Sequence, residues 1–158
     1  MTQLHHLVQR LSDADIDFVI VGGVAGTLHG SSLVTRDLDV CAVLSRANVA
    51  KLREVLRDVN PTHRQTPQGL SFLDNPSSNV EVKNLYLGTT LGPVDILSSI
   101  TGVGDYARVR EASVEIELFG RRCRVISIED LISAKESLGR PKDLLAAQEL
   151  RAILEQKK

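Results

Sequence analysis

Phe18-Val19-Ile20-Val21 is a run of four apolar residues, three of them β-branched, that leads directly into Gly22-Gly23. Such a run reads as a strand buried within a sheet, and the paired glycines end it in a turn. Leu38-Asp39-Val40-Cys41-Ala42-Val43 is a second strand of the same kind. Between them, Val24 to His29 reads as a short helix ending at Gly30. Strand, turn, helix, strand within the first third of the chain excludes an all-helical bundle and calls for a sheet covered by helices.

The remaining chain extends that frame. Leu4, Leu7, Val8 and Leu11 recur at helical spacing ahead of the turn SDADID. Ser45 caps a helix from Arg46 to Asp58 that has Val49, Leu52, Val55 and Leu56 on one face. Pro61 to Pro76 is polar and turn-rich, and reads as a mobile loop. Val80 to Leu87 and Val94 to Ser98 flank the turn GTTLG as an antiparallel pair, and Val114 to Phe119 with Arg122 to Ile126 form a hairpin around Gly120. Ser127 and Asp130 resemble a capping box opening a helix to Leu138; Gly139 ends it, and Lys142 to Glu155 is the last helix. The expected class is therefore α/β (α+β), a mixed sheet with helices packed against it, in one domain over residues 1–158.

Composition narrows the function classes. Nineteen Lys+Arg against twenty Asp+Glu give a net charge of -1, so bulk charge argues for neither a nucleic-acid nor a membrane partner. Aromatic residues are 3% of the chain, too few for a base-stacking platform. Cys41 and Cys123 lie in apolar runs without metal-ligand spacing, which fits buried thiols in a reducing compartment. With no signal peptide and no run of 18 apolar residues, the expected location is cytoplasmic.

The chemistry concentrates in Thr35-Arg36-Asp37-Leu38-Asp39-Val40, with thirteen residues between Gly23 and Asp37. Two carboxylates two apart on a strand share a face, where they repel each other unless a hard divalent cation accepts their oxygens. Gly22 and Gly23 would let a phosphate approach the backbone, with the helix behind them aiming its first N–H groups at the anion. The competing reading is a solvated acidic strand end beside an ordinary turn. Asp95, an acid among the buried aliphatics of Gly92-Pro93-Val94-Asp95-Ile96-Leu97, needs a partner or a metal as well. Glu81, Glu115 and Glu117 are its rivals, and their alternation with Val and Ile suits the polar face of a strand.

The run FVIVGGVAGTLHGSSLVTRDLDV resembles the nucleotidyltransferase superfamily related to DNA polymerase β. Within it the chain looks closest to small prokaryotic members allied to the AbiEii-type toxins of toxin–antitoxin systems. Lys135-Glu136-Ser137-Leu138-Gly139-Arg140-Pro141-Lys142-Asp143 matches their later element of Lys, a gap, then Arg-x-Lys-Asp. The resemblance implies Asp37, Asp39 and Asp95 as catalytic ligands of two Mg²⁺ ions. It implies Gly22, Gly23, Lys135, Arg140 and Lys142 as nucleotide contacts, Asp143 as their orienting acid, and a nucleoside triphosphate as substrate. The acceptor would be a hydroxyl of RNA, protein or a small molecule, and a homodimer or an antitoxin-type partner would complete the cleft. There are departures: Leu33 stands where relatives often have Arg, Arg36 being the candidate substitute, Gly23 where many have Ser, and Ala146 where a second Asp is common. They keep open a degenerate module that binds nucleotide or a partner without turnover. A metal-dependent phosphohydrolase is a third reading.

Overall fold

The structure, a computed structural model, describes residues 3–74 and 82–158. α1 (Leu4–Asp13) buries Leu7, Val8 and Leu11. β1 (Phe18–Val21) is buried at all four positions, so both faces of the sheet are covered there. α2 (Gly22–Leu28) follows at once, and β2 (Leu38–Ala42) returns antiparallel to β1. Next are α3 (Arg46–Leu56), capped by the Ser45 side chain as expected, and a 3-10 turn over Arg57–Val59. β3 (Thr62–His63), β4 (Asn84–Thr89) and β5 (Gly92–Leu97) form one edge of the sheet. A small ribbon, β6 (Ser99–Ile100) with β7 (Gly104–Asp105), leads into α4 (Tyr106–Glu111). The hairpin β8 (Val114–Leu118) and β9 (Arg121–Val125) precedes α5 (Ile128–Leu138) and α6 (Pro141–Gln156).

The main sheet has seven strands in the order β3-β4-β5-β2-β1-β9-β8. β1 is antiparallel to β2 but parallel to β9, and β2 is parallel to β5, so the sheet is mixed as expected. Val19, Ile20, Leu38, Val40, Val94, Ile96 and Val125 form its buried centre, packed under Leu7, Leu52, Leu131 and Leu150 of the helices. At about 1.5–3 kcal/mol per fully buried large aliphatic, this centre is the main source of stability. Cys41 and Cys123 are buried free thiols. Among the described residues no helix is long and apolar enough to cross a membrane.

Four local expectations need correction. The polar segment from Pro61 contains β3, because Thr62 and His63 pair with Gly88 and Leu87 and Phe72 is buried beneath them. Phe72 meets His63 edge-on at 5.7 Å and takes the Arg53 guanidinium 5.0 Å over its ring. Pro76, Val80 and Glu81 lie outside the described residues. β6, β7 and α4 add regular elements between Ser98 and Val114, where each is too short to show a period in the sequence. α2 begins at Gly22 itself, not at Val24, because Gly22 adopts φ +67 and turns the chain within the helix's first residue. The capping box at α5 is half made. The Ser127 hydroxyl accepts from Asp130 N at 3.1 Å, but the Asp130 carboxylate is held by both arms of Arg108 at 2.8 and 2.9 Å. A charge-assisted two-point pair outcompetes a reach back to the cap.

Ser127→Ala removes that cap at a buried helix start, and should lower stability by about 1 kcal/mol in thermal or urea unfolding followed by circular dichroism.

Candidate active site

Asp39 is the second residue of β2, opposite Val21 on one side and Asp95 on the other. Parallel neighbours in direct register point their side chains to the same face, with strands about 4.8 Å apart. The register therefore sets the Asp39 and Asp95 carboxyls side by side. Asp37 is the last residue before β2, one step short of the expected strand. Burial raises the Asp39 carboxyl, the charges of Asp95 and Asp37 raise it further, and Lys135 only partly opposes them, leaving it at about 7. Asp95 is raised too, by burial first, against the opposing pull of Arg64.

The glycines have steric reasons as well as conformational ones. A Cβ at Gly22 would fall 2.3 Å from Asp39 Oδ2, so the end of β1 has to be bare where that carboxylate lies against it. A Cβ at Gly23 would fall 2.8 Å from both Cβ and Oγ1 of Thr35. Thr35 thus fills the space a side chain at position 23 would need, and it lines the same cavity with its hydroxyl donating to Asp37 O at 3.3 Å.

That cavity, of about 350 Å³, is lined by Asp37, Asp39, Gly22, Gly23, Lys135, Arg140 and Lys142, seven of the eight residues expected at the site. Asp95 does not line it and sits at its inner edge beside Asp39. Asp143 is buried at the junction of α5 and α6, hydrogen-bonded by Nε and Nη2 of Arg140, with Lys135 Nζ at 3.8 Å. Burial raises its carboxyl, yet the Arg140 hydrogen bonds and the charges of Arg140, Lys135 and Lys142 hold it below the ordinary range. Lys142 makes no ion pair among the described residues. Leu33 and Ala146 line the cavity, and Arg36 does not.

The rival acids sit elsewhere: Glu115 pairs with Arg122 and Arg124 on the β8–β9 edge, exposed Glu117 faces Arg122 across that hairpin, and Glu81 is outside the described residues. Three contacts carried no local signal. Arg64 Nη2 lies 2.7 Å from Asp95 Oδ1. Glu149 of α6 accepts from Ser31 Oγ, Ser32 N and Ser32 Oγ, tying down the loop before Asp37. The third is Thr35 over Gly23. Only the fold brings each pair together.

Among the described residues no three His, Cys, Asp or Glu side chains converge as a ready-made ion cage. The donor set still fits a hard divalent cation, which takes one or two carboxylates and fills its shell with water and substrate phosphate oxygens. Asp95 Oδ1 supports this: it is buried and, despite the nearby Arg64, has no hydrogen-bond partner among the described residues.

Compared with known proteins, residues 1–158 match a family model described as "Nucleotidyl transferase of unknown function (DUF2204)". The fold is similar to that of a lincosamide antibiotic adenylyltransferase in its lincomycin-bound form, with 17% identity, 96% of each chain covered and a TM-score of 0.63. It is also similar to an antigenic nucleotidyltransferase-like protein from Paracoccidioides brasiliensis, at 16% identity over 96% of this chain and 73% of that one, TM-score 0.55. The antibiotic-resistance factor ANT(2'')-Ia is a third, at 14% identity over 98% and 90% of the two chains, TM-score 0.54. Identities this low establish the fold. No curated protein sequence matches the chain.

The raised Asp39 carboxyl has a stability signature. A carboxyl titrating near 7 when folded and 3.8 when unfolded contributes fully below 3.8, and that contribution is lost as pH rises to 7. Asp39→Asn should therefore be more stable than the parent by roughly 2–3 kcal/mol at pH 8, the gap narrowing as pH falls toward 4, in urea unfolding. Gly22→Ala should lose about 2 kcal/mol or more, from the positive φ and the clash with Asp39 together.

Proposed function

From a chain that belongs to the nucleotidyl transferase family of unknown function, we propose a Mg²⁺-dependent enzyme that moves a nucleoside monophosphate from an NTP to a hydroxyl of RNA, protein or a small molecule. The observation that carries the reading is the in-register pair Asp39 and Asp95, with Asp37 and Asp39 lining a cavity that Lys135, Arg140 and Lys142 also line. Acids and cations around one cavity suit a metal–triphosphate complex.

Asp37, Asp39 and Asp95 would hold two Mg²⁺, which when bound supply an acidified acceptor hydroxyl and charge stabilisation for leaving pyrophosphate. Asp95 takes the acceptor proton, and burial raises its carboxyl toward the range useful for a base. The acceptor oxygen bonds to the α-phosphorus as the bond to the β-phosphate oxygen breaks and pyrophosphate departs. Lys135, Arg140 and Lys142 neutralise the triphosphate, and the planar Arg140 offers two-point contact. Asp143 fixes Arg140 and Lys135 in advance, so little side-chain ordering is left for binding. Gly22 and Gly23 keep the backbone open to the phosphates. On this reading residues 1–158 form one catalytic domain, and a second copy or an antitoxin-type partner would complete the cleft. The Lys135 to Asp143 element opening α6 is what supports a place in the AbiEii-type branch.

A second reading has its own observation. Asp143 already pairs with Arg140 and Lys135, and Arg64 with Asp95, internal ion pairs that suit binding without turnover.

Incubation with each α-phosphate-labelled NTP, Mg²⁺ and pools of RNA, protein and small metabolites separates the two. Label should pass to one pool with the parent chain and fall about a thousandfold or more with Asp39→Asn. NTP binding without transfer in any pool, unchanged by Asp39→Asn, would establish the binding module instead.

A further inference from the structure

Arg64 belongs to no motif, yet its guanidinium reaches the third carboxylate, and three features of the sheet edge put it there. Its backbone N–H donates to Tyr86 O at 2.9 Å, and Tyr86 is the register partner of Asp95 in the β4–β5 pair. The backbone of Arg64 is thus anchored two strands from Asp95, directly in line with it. Its aliphatic stem crosses β4 over Gly88, where a Cβ would fall 3.3 Å from Arg64 Cγ. Glycine at that point clears the path. The side chain then ends with Nη2 2.7 Å from Asp95 Oδ1, and it is 31% exposed while that of Asp95 is 16% exposed. The distance is that of an ion pair, but Oδ1 still lacks a hydrogen bond of acceptable geometry among the described residues. This is a charge contact a better ligand can displace.

We propose that Arg64 is a built-in competitor of the divalent cation: it neutralises Asp95 in the metal-free protein and is displaced from it when the cation binds. The proposal rests on the reading of Asp95 as a metal ligand. Three carboxylates gathered at one sheet edge carry more charge than Lys135 alone balances, so an internal cation on the far side stabilises the empty site. The cation has to displace it, which weakens metal binding until phosphate oxygens add their own ligation. Arg64 is a positioning residue in this scheme and touches no reacting atom. Because it follows the edge strand β3 and its backbone bond to Tyr86 O does not depend on its side chain, substitution leaves the sheet intact.

The test is Mn²⁺ binding to the whole chain without nucleotide, read as free Mn²⁺ by electron paramagnetic resonance. Arg64→Gln should bind Mn²⁺ roughly five- to tenfold more tightly than the parent, with Arg64→Lys in between because it keeps the charge and loses the fork. The gain should vanish in Arg64→Gln combined with Asp95→Asn. Equal or weaker binding by Arg64→Gln, with Asp39→Asn still weakening the parent, overturns the Arg64 proposal and leaves the carboxylate site standing. Mn²⁺ binding that neither Asp39→Asn nor Asp95→Asn alters overturns both.

Discussion

The parallel pairing of β2 with β5 is the constraint on which the site depends. Side chains alternate along a strand, so a slip of one residue would send Asp39 or Asp95 to the opposite face. The register is held by apolar neighbours: Leu38, Val40 and Cys41 on one strand and Val94 and Ile96 on the other are all but fully buried. Hydrophobic burial thus enforces an arrangement that electrostatics opposes. The residue of that conflict is the Asp39 carboxyl at about 7, raised by burial and by its two acidic neighbours.

The surrounding residues make sense as answers to that conflict. Lys135 approaches Asp39 from α5, and Arg64 approaches Asp95 from the turn after β3. At the α5–α6 corner the charges reverse, and buried Asp143 gathers Arg140 and Lys135. Burying Asp143 without those partners would cost several kcal/mol. The α5–α6 corner is consequently fixed by an ion cluster in which Gly139 at φ +69 and Pro141 at the helix start make the turn. Asp37 and Asp39 line the same cavity as Lys135, Arg140 and Lys142.

Much of this was legible in the sequence where the signal is local. Phe18 to Val21 with its glycines, the Ser45 and Ser127 caps, the Gly120 hairpin and the Gly139 stop each follow from a few adjacent residues. The metal-ligand candidates were legible for the same reason, as an alternation of acid and aliphatic on a strand. What escaped is non-local. Arg64 looks like one polar residue in a polar loop, and only the β3–β4 pairing carries it toward Asp95. Thr35 over Gly23 and Glu149 under Ser31 and Ser32 join positions that no spacing rule links. α4 and the β6–β7 ribbon are too short to show a period, and tertiary contact decides them.

The separation of local from non-local features bears on what this fold can specify. The carboxylates and the opposing cations define a reaction class, and they sit on strands and helices that the core holds rigid. Choice of acceptor has to come from elements that vary around them. One such element borders the cavity and another lies beside Asp95. One is the loop through Leu33, Val34 and Thr35, pinned from behind by Glu149, with Val34 92% exposed. The other is the edge carrying Arg64. An apolar hollow of about 370 Å³ continues from that loop toward Leu28 and Phe119, so the cleft passes from charged to apolar within a few residues.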